Sequence, residues 1–331
     1  MSVTIVTGGQ FGSEGKGKVA RFFAQKYGAS SVVRVGGTNS GHTTVDENGH
    51  PVIFRSLPTA ALDGSANCIL PPGSYVDPEI LFREITVAKL PLSHLKVHPN
   101  TVIITPECER MEDESGLRKF IGSTASGTGS AVAMRVMRDE RIVLAKDVPE
   151  LAPFLCDTAD FLREELERRH EILIEGTQGY GLSNLHSPYY PYATSRDTTA
   201  AGFLSECGLS PFDVKHIILV LRSYPIRVSG NSGPLSNELS WDDVTTNAKS
   251  LTPVREYTSV TNRLRRVGSF DEVIPLQAIR ANRPDLIVLN HLDYIPEDER
   301  GGFVDSVQEV LGSRIDCIGT GPDSLSFRLS E

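Results

Sequence analysis

Residues 3–26 read VTIVTGGQFGSEGKGKVARFFAQK. The β-branched run at 3–6 is typical of a strand buried on both faces, and residues 19–26 have the apolar spacing of a helix. The turn between them is rich in glycine and carries Lys16 and Lys18. Glycines let backbone amides approach a phosphate, and the amino terminus of the following helix favours an anion. We therefore predict a strand, a phosphate-binding turn and a helix.

The turn partly matches the Walker A spacing of nucleotide-binding proteins. Gly12, Gly17 and Lys18 occupy the fixed positions of G-x-x-x-x-G-K, but Val19 stands where a serine or threonine would bind magnesium. The segment can bind phosphate in the way a P-loop does, through backbone amides and lysines, but it does not match the P-loop sequence motif fully. A P-loop-like nucleotide-binding regulatory protein is the alternative from another functional class.

Outward from this turn, short apolar runs alternate with helical patterns. The runs lie at 3–6, 31–35, 102–105, 172–174, 217–221, 286–289 and 315–318, and the clearest helical patterns lie at 157–170, 270–281 and 304–312. The alternation predicts an α/β fold: a single large domain over residues 1–331, with a central, mostly parallel sheet flanked by helices. Ligands bind such sheets at the carboxyl ends of strands. Residues 228–257 are rich in Gly, Pro, Asn and Ser, which predicts a mobile or inserted loop.

Composition narrows the function. The chain of 331 residues has a net charge of -9, which argues against a surface for nucleic acid. Its five cysteines are scattered, so no zinc knuckle or redox Cys-x-x-Cys is present. No apolar run approaches the roughly 18 residues that span a bilayer, so we expect no membrane partner and a cytoplasmic location. A phosphorylated ligand must be held by local cations and backbone amides.

Several motifs resemble one enzyme family. The pair GSEGKGK at 12–18 and GTNSGHT at 37–43 is similar to the N-terminal signature of adenylosuccinate synthetases. Further matches follow in chain order: IGST at 121–124, EGTQG at 175–179, YPYATS at 190–195, RLRR at 263–266 and GTGPD at 319–323. The resemblance spans nearly the whole chain. It implies a ligase that joins L-aspartate to C6 of a purine nucleotide through a 6-phosphoryl intermediate, using a nucleoside triphosphate and Mg2+.

The resemblance also implies site residues. Ser13 and His42 take the two catalytic positions, and a donating imidazole suits a transferring phosphoryl group because it offsets the developing charge. Ser13 and the carbonyl of Gly41 match magnesium ligands. The implied triphosphate contacts are Gly12, Glu14, Gly15, Lys16, Gly17, Lys18, Asn290, His291, Asp293, Gly319, Gly321 and Pro322.

The other two substrates have their own implied contacts. Those for the purine monophosphate are Ser13, Asn39, Ser123, Thr124, Arg138, Gln178, Thr194 and Arg263. Those for aspartate are Thr261, Arg263 and Arg265, and guanidinium groups suit carboxylates because they bind them bidentately. Arg138 matches an arginine that reaches the site of the partner subunit. The resemblance therefore implies a homodimer with shared sites.

Ser13 departs from the family because it replaces the catalytic aspartate. A serine hydroxyl is not a general base near neutral pH unless it is activated. The shorter side chain leaves space beside C2 of the purine, where guanine carries an amino group, and a hydroxyl can accept a hydrogen bond from that amine. The departure resembles the virus-encoded branch, which converts dGMP to N6-succino-2-amino-2'-deoxyadenylate, a precursor of 2-aminoadenine, in the host cytoplasm. An ordinary adenylosuccinate synthetase acting on IMP is the alternative, and Glu14, water or phosphate are the candidates for the N1 proton acceptor.

The triphosphate site departs as well. Cellular members read guanine through a Lys-x-Asp motif, and here His291 replaces the lysine while Asp293 is kept. An aspartate can accept from guanine N1 and N2, or meet the amino group of adenine through water. The resemblance to the viral branch favours ATP or dATP, with GTP as the alternative.

Overall fold

The structure, a computed structural model, describes residues 2–258 and 262–328. Its strands are β1 (Val3–Gly8), β2 (Ala29–Arg34), β3 (His42–Val45), β4 (Pro51–Phe54), β5 (Asn67–Leu70), β6 (Tyr75–Val76), β7 (Leu95–Val97), β8 (Val102–Ile103), β9 (Val143–Leu144), β10 (Glu171–Glu175), β11 (Val214–Arg222), β12 (Ile226–Arg227), β13 (Glu238–Leu239), β14 (Arg266–Gly268), β15 (Leu286–Asn290), β16 (Cys317–Ile318) and β17 (Ser326–Phe327). Its α-helices are α1 (Lys16–Tyr27), α2 (Pro78–Ala88), α3 (Pro106–Glu114), α4 (Leu117–Ile121), α5 (Thr128–Met137), α6 (Thr158–Glu167), α7 (Ala200–Glu206), α8 (Trp241–Asn247), α9 (Val273–Asn282) and α10 (Arg300–Leu311). Within these residues, no helix is long and apolar enough to cross a bilayer.

A nine-stranded sheet forms the centre of the molecule. Its spatial order is β17-β16-β15-β11-β1-β10-β2-β5-β7. Neighbouring strands are parallel except for β17, which runs antiparallel to β16. The prediction of a mostly parallel sheet flanked by helices is thereby confirmed.

Both faces of the sheet are covered, which explains why its inner strands are continuous apolar runs. On one face Val19 and Phe23 of α1 pack with Val6 and Val220. On the other face Phe203 of α7 and Leu162 of α6 pack with Ile5, Val33 and Ile174. Burial on both sides makes the sheet a rigid support for the loops at its edge.

The predicted helices are present, with shifted ends. Residues 157–170 contain α6, whose first turn is capped by the Asp157 carboxylate accepting from Ala159 N and Asp160 N. Residues 270–281 correspond to α9, and residues 304–312 correspond to α10, which begins four residues earlier, at Arg300. Capping and first-turn residues lie outside the apolar periodicity, so a pattern of buried positions misplaces the ends.

Two other expectations need correction. The run at 102–105 is not part of the central sheet, because β8 pairs with β6 and β9 in a separate three-stranded sheet. Residues 228–257 are not one irregular loop. They contain β13 and α8, and α8 is capped by Ser240 and Asp243 and buries Trp241.

The topology brings five chain segments to one edge of the sheet. Central strand β1 lies between β10 and β11, and β2 and β15 lie one position further out. All five are parallel, so the loops that follow them leave at the same edge. These loops carry most of the motifs at 12–18, 37–43, 175–179 and 290–293.

Candidate active site

An open cleft lies at this edge of the sheet, and about 680 Å³ of it is accessible to a water-sized molecule. This volume lies within the roughly 300–1,000 Å³ that is typical of pockets for small ligands. The predicted residues that line it are Gly12, Ser13, Gly15, Lys16, Gly17, Asn39, Gly41, His42, Ser123, Thr124, Gln178, Thr194, Arg265 and His291. The structure therefore gathers residues from motifs more than 270 positions apart.

The loop at residues 12–18, called the first loop below, has the backbone geometry of an anion site. Gly12, Ser13 and Gly15 all have positive φ angles, of 86°, 57° and 87°. The backbone at Gly15 leads directly into α1, whose amino terminus has no side-chain cap. Free amides at a helix start attract phosphate. Val19 is fully buried in the core, so a magnesium-binding hydroxyl at this position would face away from the cleft.

Glu14 is a structural residue of this loop. Its side chain is fully buried, with Oε1 accepting from Gly12 N at 2.8 Å and Gln10 N at 3.1 Å. Its Oε2 accepts from Lys16 Nζ at 2.6 Å. The carboxylate does not line the cleft, and both oxygens are engaged. It is therefore poorly placed to accept a proton from a purine.

Several residues predicted to bind the nucleoside triphosphate form a second group, which lies outside the lining of the cleft. Lys18 Nζ donates to the carbonyls of Gly321 and Ser324, and burial lowers its pKa to about 8. Asn290 Nδ2 donates to the carbonyl of Glu14 at 2.8 Å. Asp293 lies near Lys18, and burial raises its pKa. The 319–322 loop is thus joined to the first loop beside α1.

His291 lies on the cleft side, apart from this group. Its ring is partly buried, and burial lowers its pKa to about 3, with Arg222 adding to the effect. The ring centroid lies 5.5 Å from that of Tyr294. A hydrogen bond to the backbone of Ser13 acts in the opposite direction on the pKa. His291 therefore supports the first loop and lines the cleft.

An ion pair between a buried arginine and a glutamate at the cleft wall holds Ser13 in place. The fully buried Arg222 donates through Nη1 to the Ser13 carbonyl at 2.8 Å and pairs through Nη2 with Glu256. Tyr294 Oη donates to Glu256 at 2.9 Å. Burial alone would raise the pKa of Glu256, but Arg222 holds it at about 2. The Ser13 carbonyl is engaged, so its hydroxyl is the group left for a ligand.

His42 is held by charged residues on its inner side. Its Nδ1 lies 2.5 Å from Glu175 Oε1, and Arg34 Nη1 lies 2.9 Å from the same nitrogen. Burial, followed by the charge of Arg34, lowers the pKa of His42 to about 3. The imidazole is therefore neutral in the free protein at physiological pH.

The predicted monophosphate and aspartate residues divide into two groups. Asn39, Thr124, Gln178 and Thr194 line the cleft, and so does Ser123, whose hydroxyl donates to Glu112 at 2.5 Å. Arg265 also lines it and donates through Nε to the Tyr257 carbonyl at 3.2 Å. Arg138 and Arg263 are exposed and lie outside the lining, and Thr261 lies outside the described residues.

Several residues of the site were not predicted. They are Arg34, Glu175, Arg222, Arg227 and Glu256. Arg227 lines the cleft with its guanidinium over the Phe11 ring, and its Nε and Nη2 have no hydrogen-bond partner among the described residues. Glu175 is the first residue of the EGTQG motif, and Arg227 directly precedes the predicted loop at 228–257, but no spacing rule marks their contacts.

The residues present fit a magnesium ion that arrives with a triphosphate. Ser13 and Gly41 line the same cleft and offer a hydroxyl and a carbonyl oxygen. Mg2+ prefers oxygen and commonly takes few protein ligands when phosphates supply the others. Among the described residues, no group of three or more His, Cys, Asp or Glu side chains forms a metal cage.

Comparisons with known proteins agree with this geometry. A sequence model of adenylosuccinate synthetase matches residues 5–146 and 139–300. The adenylosuccinate synthetase of Methanococcus aeolicus is 37% identical over 344 residues, covering 98% of each chain. That of Thermococcus onnurineus is 37% identical over 342 residues, covering 96% of each.

Two solved structures share the fold. The succinoaminodeoxyadenylate synthetase of cyanophage S-2L, bound to dGMP and dATP as an energy donor, has a TM-score of 0.84 and 29% identity, covering 98% of this chain and 95% of that one. The fully ligated adenylosuccinate synthetase of Plasmodium falciparum has a TM-score of 0.86 at 20% identity, covering 99% and 100%. The chain therefore belongs to the adenylosuccinate synthetase family of carbon–nitrogen ligases, which use a nucleoside triphosphate.

Proposed function

We propose that the chain joins L-aspartate to C6 of dGMP, with ATP or dATP as the phosphoryl donor. The products are N6-succino-2-amino-2'-deoxyadenylate, the nucleoside diphosphate and phosphate. The observation that carries the proposal is Ser13, a short uncharged side chain lining the cleft where a carboxylate would crowd the 2-amino group of guanine. The cyanophage relative, which was solved with dGMP and dATP, supports the same substrates.

The reaction has two steps. Guanine O6 attacks the γ-phosphorus, and the nucleoside diphosphate leaves. The amine of aspartate then attacks C6, and O6 leaves with the phosphate. The N1 proton passes to water or a phosphate oxygen, because the Glu14 carboxylate is engaged within the loop. When bound, Mg2+ neutralises charge on the transferring phosphate, and the Ser13 hydroxyl and Gly41 carbonyl are the ligands that this chain would offer.

Each substrate has proposed contacts. His42, the amides of the first loop and Lys16 face the transferring phosphate, and Lys18, Asn290, Asp293, Gly319, Gly321 and Pro322 lie on the donor side. The cleft residues Asn39, Ser123, Thr124, Gln178 and Thr194 hold the purine monophosphate. Arg265, with Arg263 and Thr261, binds aspartate. The two carboxylates of aspartate need cationic side chains that still have N–H groups free to donate.

The second candidate is an ordinary adenylosuccinate synthetase that uses IMP. The identities of 37% to the archaeal enzymes favour it, because they exceed the 29% to the cyanophage enzyme. Overall identity averages over the whole chain, whereas the choice between purines depends on a few atoms beside C2. We therefore give Ser13 more weight than the overall identity.

The test is a matrix of assays. The purified protein is incubated with aspartate, Mg2+, either dGMP or IMP, and either ATP, dATP or GTP, and phosphate release and nucleotide products are measured. We expect succinylated product from dGMP with ATP or dATP. Turnover of IMP but not dGMP would replace this proposal with the second candidate. Triphosphate hydrolysis that is indifferent to aspartate would contradict ligase activity of either kind.

A further inference from the structure

Glu175 is a buried carboxylate in the site with no role in the steps above. It ends β10, is fully buried, and its Oε1 lies 2.5 Å from His42 Nδ1. Its Oε2 accepts from both N and Oγ1 of Thr59 at 2.8 Å. Burial alone would raise the pKa of Glu175, but the hydrogen bond from His42 and the charge of Arg34 lower it. The group is therefore an immobilised anion.

The contact decides the state of the imidazole. A carboxylate only accepts hydrogen bonds, so Nδ1 must carry the proton that lies between it and Glu175. Nε2 is then the nitrogen with the lone pair, and Arg34 Nη1, which lies 2.9 Å from Nδ1 and 3.2 Å from Nε2, can donate only to Nε2. Arg34 Nη1 also lies 3.8 Å from Glu175 Oε1. The three side chains form one buried set, in which a neutral imidazole of a single tautomer contacts both a carboxylate and a guanidinium.

We propose that Glu175 is the positioning residue of His42: it fixes the tautomer and the ring plane, so that Nε2 is the nitrogen available to the transferring phosphoryl group. This inference rests on the proposed function, in which His42 meets that group. As the phosphoryl group is transferred, the proton that leaves N1 of guanine passes through water to Nε2, which then donates it in a hydrogen bond to the phosphate. The Glu175 carboxylate stabilises the resulting imidazolium against Arg34. Carboxylates that orient imidazoles in other enzymes act in the same way.

The placement of Thr59 supports a positioning role over simple packing. Its hydroxyl also lies 2.8 Å from the carbonyl of Gly17 in α1 and shares its one proton between that carbonyl and Glu175, so the strand end, the helix and the histidine are joined through one residue. A carboxylate needed only for folding has no reason to face the one histidine of the second motif. Glu84 shows the contrast, because it is buried and accepts from the amides of Arg55, Ser56 and Leu57 without contacting a histidine.

The kinetic test is a double-mutant cycle. Glu175→Gln keeps the shape and removes the charge, and we expect kcat to fall on the order of 100-fold, with KM for dGMP and aspartate changing less than about threefold. In a His42→Ala background, the same substitution should lower kcat almost no further. Glu84→Gln is the matched control and should leave kcat within about threefold. A kcat in the double variant that falls by the product of the two single-variant losses would overturn the proposal.

A second readout does not depend on activity. The ¹⁵N shifts of the His42 ring should show the Nδ1-protonated form in the wild type and a shift toward the other tautomer in Glu175→Gln. If that variant does not fold, Glu175→Asp, which keeps the charge but shortens the reach, replaces it in both measurements. An unchanged tautomer would overturn the proposal even if the protein is an active ligase. A shifted tautomer in a protein without ligase activity would instead contradict the proposed function alone.

Discussion

At the level of single residues, Ser13 combines an unusual backbone with an unusual side chain. Its φ of 57° lies in the left-handed region, which residues with a β-carbon seldom adopt. Aspartate tolerates that region better than serine, because its carboxylate can bond locally. The contact from Arg222 to the Ser13 carbonyl offsets this cost. The serine is thus kept in place by its surroundings, as the proposed selection of guanine by a short side chain requires.

Restoring the carboxylate should change which purine is used. We expect Ser13→Asp to lower kcat/KM for dGMP by at least about tenfold relative to IMP, because the larger anion crowds the 2-amino group. Competition assays with both nucleotides measure this ratio directly. Ser13→Ala is the control, since it removes the hydroxyl without adding bulk and should lower the preference for dGMP less than Ser13→Asp does. Equal losses on both purines in Ser13→Asp would show that Ser13 does not determine specificity.

At the level of elements, helix α1 packs unusually closely on the strand that carries His42. A β-carbon on Gly17 would lie 2.8 Å from Thr59 Cγ2 and 3.0 Å from His42 Cβ. Alanine normally stabilises a helix interior by about 1 kcal/mol relative to glycine. Here the crowding should outweigh that gain, because the neighbours are packed backbone and β-branched atoms.

We therefore expect Gly17→Ala to lower kcat at least about tenfold by displacing His42, and to lower the melting temperature. Gly302→Ala in α10 is the matched control, because nothing lies within 4 Å of its added carbon. The control should be as stable as the wild type or more so. Steady-state kinetics and thermal melts distinguish the two, and a fully active Gly17→Ala protein would mean that the helix shifts freely.

The pair of Arg222 and Glu256 joins the first loop to the segment that leads to Arg265. We expect Glu256→Gln to lower the free energy of unfolding at pH 7 by about 3 kcal/mol, because it leaves a buried guanidinium without its anion. The folded pKa of about 2 lies below the usual 4.5, so the ionised carboxylate stabilises the fold above pH 4.5. That stability is lost as the pH falls toward 2. The difference between wild type and variant should therefore narrow below pH 4.5.

Urea titrations at pH 7, 5 and 4 measure this difference. Glu238→Gln provides the control, because Glu238 pairs with Arg266 at the surface with 44% of its side chain exposed, and such pairs contribute at most about 1 kcal/mol. A difference between wild type and Glu256→Gln that does not change with pH would contradict the assignment of the low pKa to Glu256.

These elements also show how far sequence alone reaches. The strand, turn and helix at 3–26 were predictable, because apolar period and glycine placement are local signals. Strands β5 and β7 were not, since runs of four and three residues are too short to stand out. The contacts of Glu175 with His42 and of Arg222 with Ser13 join residues 133 and 209 positions apart. Such pairs exist only once the parallel sheet has aligned the strand ends.

At the level of the whole molecule, the position of Arg138 bears on assembly. It lies exposed at the end of α5, in a left-handed conformation, and does not line the cleft of its own chain. The exposed side chains of Val136 and Met137 lie beside it. An arginine that serves a site in the partner subunit would occupy such a position, so we predict a homodimer in which each site takes Arg138 from the other chain.

Mixing two inactive variants tests this prediction. The His42→Ala substitution inactivates the site of the chain that carries it. The Arg138→Gln substitution inactivates the site of the partner chain. A mixed dimer then has one site with both defects and one site with neither. After random exchange of equal amounts, half the dimers are mixed, so about a quarter of all sites should recover wild-type turnover. Mixing His42→Ala with Ser13→Asp is the control and should recover little dGMP turnover, because both defects lie in the same chain's site. No recovery in the first mixture, with exchange verified by mass, would mean that Arg138 does not act across the interface.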